Sequence, residues 1–124
     1  MKANIVKDKS YSFALKIIEA CQRLSDSRNY VLSRQLLRSG TSIGANIEEA
    51  LHAESRADFI HKLSIAQKEA AETHYWLRLF RDSSILPEET AFTMLSECEE
   101  LRRIIASIIK TTKASAKECS IHNS

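Results

Sequence analysis

Apolar residues return every three or four positions in four successive stretches, and no other feature of the chain constrains the fold as strongly. A 3.6-residue period is that of a helix with one face against a core. Phe13, Ala14, Ile17, Ile18, Cys21 and Leu24 predict a first helix from about Ser10 to Leu24, with Lys16, Glu19 and Arg23 on its opposite side. Residues 25–29, Ser-Asp-Ser-Arg-Asn, carry turn chemistry and no apolar pattern.

The second series is Leu32, Leu36, Ile43, Ile47, Ala50 and Leu51, interrupted by Ser39-Gly40-Thr41-Ser42. Glycine costs roughly 1 kcal/mol relative to alanine inside a helix, which argues for a break at Gly40. The apolar phase survives the gap in steps of three or four, which favours one long helix, bent near the glycines. Gly40 and Gly44 fall on one side and leave a strip where another backbone can approach closely; only this steric part of the GxxxG pattern applies to so polar a helix.

Ser55-Arg56-Ala57-Asp58 resembles a capping box and starts a third helix that runs to about Asp82. Its core stripe is Phe59, Ile60, Leu63, Ala66, Ala70, Leu77 and Phe80. Pro87 with Glu88 and Glu89 opens a fourth helix, whose stripe is Ala91, Leu95, Cys98, Leu101, Ile105 and Ile108, flanked by Met94, Ile104 and Ile109. Ile65, Trp76, Leu79 and Ile104 widen the apolar face beyond what one core covers, so they are candidates for a subunit interface, as Gly40 and Gly44 are for helix packing.

Four helices of similar length with short connections give an all-α fold, an antiparallel up-down-up-down four-helix bundle. One domain accounts for residues 1–124, with an ordered core at about 8–113 and a frayed tail at 114–124, where periodicity is lost. Two glycines and one proline exclude turn-rich β architectures. No apolar run approaches the roughly 20 residues of a membrane span and the start lacks the apolar stretch of a secretory signal, so a cytoplasmic location is expected. Cys21, Cys98 and Cys119 stand far apart and are expected as reduced thiols.

The net charge of +2 is unevenly spread: residues 1–38 hold eight Lys/Arg against three Asp/Glu, whereas 39–124 hold ten against thirteen. Arg34 and Arg38 share a helix face, and Lys16 and Arg23 lie seven apart on the first helix, so these four are the candidate phosphate contacts for RNA or DNA. No aromatic residue is interleaved with them and no named nucleic-acid motif is present. The competing reading is a set of solvated faces paired with acidic neighbours.

Catalytic and metal chemistry find little footing. Glu49 with His52, and Asp58 with His61, place a carboxylate and a histidine at i and i+3, as di-iron bundles do. Both pairs crowd at the turn between helices 2 and 3, without the further inward carboxylates such a site requires, so no metal site is expected. Glu69, Glu72 and His74 read as a solvated face beside Lys68 and Arg78, and Ser39, Thr41 and Ser42 lack a histidine partner. The expectation is a non-enzymatic protein without cofactor, membrane contact or small-molecule substrate.

The stretches QLLRSGTSIGANIEEA (35–50), DFIHKLSIAQKEAAETHYWL (58–77) and EELRRIIASIIKTTK (99–113) together resemble the four-helix-bundle proteins encoded in intervening sequences of bacterial 23S rRNA genes, once labelled S23 ribosomal proteins. The resemblance covers about residues 8–113. It implies a left-handed bundle that assembles into a homopentamer and has no established activity. A related branch, the accessory variability determinant of diversity-generating retroelements, forms a basic pentamer that associates with a reverse transcriptase and nucleic acid; this chain resembles that branch less closely. The expected function is thus a self-assembling scaffold with a nucleic-acid or nucleoprotein partner, the alternative being a protein–protein adaptor.

Overall fold

The computed structural model describes the backbone of residues 2–26 and 29–122, and the side chains of residues 2–24 and 29–115. Four helices follow one another: α1 (Lys2–Asp26), α2 (Tyr30–Leu51), α3 (Arg56–Asp82) and α4 (Glu88–His122). Among the described residues there is no strand. α1 packs on α2 and α4, and α3 packs on α2 and α4, so the helices form the corners of a square around one core.

The register of each seam is fixed by particular contacts. Gly40 and Gly44 of α2 lie against Ile17 and Ser10 of α1, and the Cys21 thiol donates to the Ser33 carbonyl at 3.3 Å; the two helices therefore run antiparallel. Arg38 reaches Glu72 and Lys62 reaches Glu49, which sets α3 antiparallel to α2. Lys9 pairs with Glu100, Lys16 with Glu97, and Lys2 donates to Ser107 at 2.7 Å, so α4 runs back along α1.

α1 begins eight residues before the predicted Ser10, because Val6 extends the apolar phase of Phe13 and is itself buried. Ile18 and Leu32, expected in the core, are exposed, since each lies at the edge of its stripe and the neighbouring helix does not cover it. α2 is one unbroken helix, and neither glycine has a positive φ. Glycine is needed here for space: a Cβ at position 40 would stand 2.8–2.9 Å from three side-chain atoms of Ile17.

At the start of α3 the Ser55 hydroxyl accepts from the Asp58 amide at 3.0 Å, as the capping pattern predicts. The α3–α4 connection turns back through Ser84, whose φ of 62° is in the left-handed region, and the Ile85 and Leu86 amides both donate to the Phe80 carbonyl. The Pro87 carbonyl accepts from the Ala91 amide and opens α4. Where a frayed tail was expected, the backbone of α4 stays helical to His122; residues 123 and 124, and the side chains from 116 on with Cys119 among them, lie outside the described residues, as do 27 and 28 of the predicted turn.

Candidate functional site

The four basic residues singled out from the sequence do not share a surface. Lys16 pairs with Glu97 across the α1–α4 seam, and Arg23 with Glu19 one turn before it on α1. Arg38 lies on the α2–α3 seam, 2.6 Å from Glu72 and 3.7 Å from Glu69. Arg34 is exposed on the outer side of α1 and α2, beside Gln22 and Tyr30. Three of the four cations are thus already opposed by carboxylates. Exposed pairs of this kind contribute roughly 0–1 kcal/mol to stability, but they leave little unpaired charge for a phosphate.

The Arg38 contacts also divide the carboxylates of α3 from its histidine. Glu69 and Glu72 face α2, and burial pushes the Glu69 carboxyl up, with Arg38 opposing the rise. His74 faces α4, 3.3 Å from Glu99. These three side chains do not converge on a common point, and the histidine meets Glu99 of α4 instead of Glu69 or Glu72.

The subunit-interface candidates also separate. Trp76 and Ile104 pack against the bundle's own core, Ile65 is half-buried, and Leu79 is exposed. Gly40 and Gly44 are taken up by α1 within the same chain. An exposed apolar strip lies elsewhere, along the α1–α2 seam: Tyr11 (62% exposed), Leu15 (52%) and Ile18 (39%) stand one helical turn apart on α1, and Tyr30 and Leu37 are exposed on α2. Ile18, Tyr30, Arg34 and Leu37 border a shallow cleft of about 300 Å³. The signal for this strip is present in the sequence as a second 3.6-residue series, 11-15-18, displaced around α1 from the core stripe.

On the opposite side of the square, α3 and α4 enclose an open cleft of about 370 Å³. Arg78 and Arg81 of α3 and Arg103 of α4 line it, with His74, Ser96, Glu99 and the ring of Phe92. Phe92 is 71% exposed. The one carboxylate in the cleft, Glu99, is held by Arg102 at 2.7 Å and by His74. Arg81 is paired with Asp82, and the Arg78 guanidinium lies 5.9 Å from the centre of the exposed Tyr75 ring. Burial holds His74 below the usual histidine range; Glu99 raises it, and the guanidiniums of Arg78, Arg102 and Arg81 lower it further. Sequence reasoning missed this cluster because its members come from two helices and meet only when α3 and α4 pack.

Of the metal candidates, Glu49 is engaged by Lys62 at 3.3 Å, and among the described residues no three His, Cys, Asp or Glu side chains are grouped to hold an ion. The Cys21 and Cys98 thiols are buried, each donating to a backbone carbonyl, and burial pushes them up to about 11 and about 12. Such thiols carry negligible thiolate near neutral pH and serve as small core groups. Among the described residues no helix is long and apolar enough to cross a membrane.

Comparison with known proteins places this architecture. No curated protein matches the chain. A crystal structure of a protein of unknown function from the S23 ribosomal protein family, from Bacteroides thetaiotaomicron VPI-5482, is similar to it with 49% identity and a TM-score of 0.86, over 89% of this chain and 99% of the other. The family of 23S rRNA-intervening sequence proteins matches residues 2–107, which takes in α1, α2, α3 and most of α4. The chain therefore belongs to the 23S rRNA-intervening sequence protein family.

Proposed function

We propose that this chain acts as a non-enzymatic, cytoplasmic scaffold that assembles with copies of itself through the α1–α2 strip. The observation that carries this is the run Tyr11, Leu15 and Ile18, facing outward beside Tyr30 and Leu37 with Arg34 as the one charge bordering their cleft. Monomeric proteins seldom leave contiguous apolar surface of this kind uncovered. Covering it gains roughly 25 cal/mol for each Å² of apolar area removed from water, and in a ring of more than two copies the strip of one copy lies on a different face of the next, because such rings close through heterologous contacts. The stoichiometry proposed is five, on the strength of the family resemblance alone.

A protein partner, here another copy, fits the exposed surface better than nucleic acid does at Arg34, Arg38, Lys16 and Arg23, because three of these are paired and only Lys16 and Arg23 line the same cleft. Light scattering at micromolar concentration tests assembly. The expected mass is about five times the single-chain 14.0 kDa. Leu15→Lys combined with Leu37→Lys should reduce it to the single-chain value while the helical circular dichroism is retained. A wild-type protein at 14.0 kDa would overturn the scaffold reading, and a stable dimer would overturn only the number five.

A further inference from the structure

We infer that the α3–α4 cleft is a binding groove for single-stranded nucleic acid. Proteins that hold single strands combine a positively charged groove that follows the phosphates with aromatic faces on which bases stack. Both parts are present here. Among the described residues neither Arg78 nor Arg103 has a carboxylate within ion-pairing distance, and both are exposed. The acid inside the cleft, Glu99, is already paired with Arg102 at 2.7 Å, so it does not cancel their charge. Arg81 lines the same cleft but is held by Asp82 at 2.8 Å, so the charge offered to a phosphate is that of Arg78 and Arg103.

The aromatic face in the cleft is Phe92; Tyr75 is outside the lining, its exposed ring 5.9 Å from the Arg78 guanidinium. Phe92 presents an almost bare ring on the second turn of α4, although an outward position on a helix is ordinarily polar. From Phe92 to Arg103 the α4 wall spans roughly 16 Å at 1.5 Å per residue, enough for about five stacked nucleotides. Unpaired guanidiniums contributed by both walls, Arg78 from α3 and Arg103 from α4, suit a chain of phosphates better than one compact anion. Duplexes are a poorer fit, because their bases are already stacked on each other and leave Phe92 without a partner. The groove lies across the bundle from the α1–α2 strip and is built from two helices of one chain, so it does not depend on assembly taking place.

Fluorescence anisotropy with labelled ten-nucleotide oligo(U) and oligo(dT) tests this, with the blunt duplex of the same length and poly-glutamate as controls. Wild-type protein is expected to bind a single strand at low salt and to bind both controls at least tenfold more weakly. Arg78→Gln with Arg103→Gln should weaken binding and reduce the slope of log K against log salt by about 1.4, the share of two phosphate contacts on a single strand. Phe92→Ala should weaken it roughly tenfold with the salt slope unchanged, as loss of a stacking face requires. Arg34→Glu with Arg38→Glu should leave affinity within about twofold. All these side chains are exposed, and unchanged melting temperatures would confirm that each variant is folded. Absence of binding by the wild type, equal binding of duplex or poly-glutamate, or indifference to Phe92→Ala would each overturn the proposal.

Discussion

Ile17 leaves no room for a Cβ at position 40, whereas Ser10 leaves just enough at position 44. The three atoms a Cβ at 40 would meet belong to a fully buried, β-branched side chain with few rotamers to move into. At 44 the nearest atoms are 3.3–3.5 Å away. Alanine gains roughly 1 kcal/mol of helix propensity over glycine at either site, while overpacking costs about 1–3 kcal/mol. Gly40→Ala is therefore expected to lower stability by about 1 kcal/mol and Gly44→Ala to leave it equal or slightly higher, as urea midpoints would show. Gly44→Leu drives a larger side chain into the Ser10 backbone and should destabilise by about 1–3 kcal/mol. The sequence presents these glycines as equivalent; the depth of the α1 residue opposite each one distinguishes them.

At the scale of an element, the sequence underestimated α1 at its start, as it did α4 at its end. The first two turns of α1 hold Val6, only 1% exposed, and Lys2 and Lys9, which reach across to α4. The lysine contacts are exposed and add little, so the burial of Val6 anchors this end. Val6→Ala removes about two methylene equivalents from a closed site and should cost about 2 kcal/mol, whereas Lys9→Ala should cost under about 1 kcal/mol. Thermal melts of the two variants check the order. α2 shows the complementary case: Ser39 is buried inside it at no evident penalty because Thr73 of α3 lies 3.0 Å away, with Thr73 Oγ1 donating to the Glu69 carbonyl at 2.8 Å. Ser39 thus finds its partner on a facing helix, while the Thr41 and Ser42 hydroxyls donate to the Leu37 and Arg38 carbonyls of α2 itself.

For the whole molecule, the α3–α4 seam makes stability depend on pH through His74. Its folded value is depressed, chiefly by burial, below the 6.5 of an ordinary histidine. Above about pH 6.5 the ring is neutral in both folded and unfolded chains and contributes no slope. As pH falls below that, the unfolded chain takes up the proton first, so folding stability declines until the folded histidine is protonated as well. The Glu69 carboxyl, raised by burial, acts in the opposite sense: its contribution is greatest at low pH and is lost as pH rises through the window above its ordinary value of 4.5. The difference between wild type and His74→Gln isolates the histidine. Wild-type urea midpoints should fall more steeply than those of His74→Gln between pH 7 and 5, and parallel curves would refute the assignment.

By itself the sequence determined the helices, their approximate limits and the residues that fill the core, because a 3.6-residue apolar period and a capping box act locally and need no knowledge of what lies opposite. Leu36, Ile43, Ile47, Leu63, Leu77, Leu101 and Ile105 are buried as their spacing requires. Local pattern also exposed the family, through the unusual run around Gly40 and Gly44. What only the tertiary structure decided is which surface residues are spoken for. Charge counted along the chain marked Lys16, Arg23 and Arg38 as a basic face, but packing brings Glu97, Glu72 and Glu69 against two of them, while Arg78 and Arg103, 25 positions apart, come to line one cleft with Phe92. A side chain's free charge or free apolar area is a property of its neighbours across a seam, and those neighbours are set by how the helices pair.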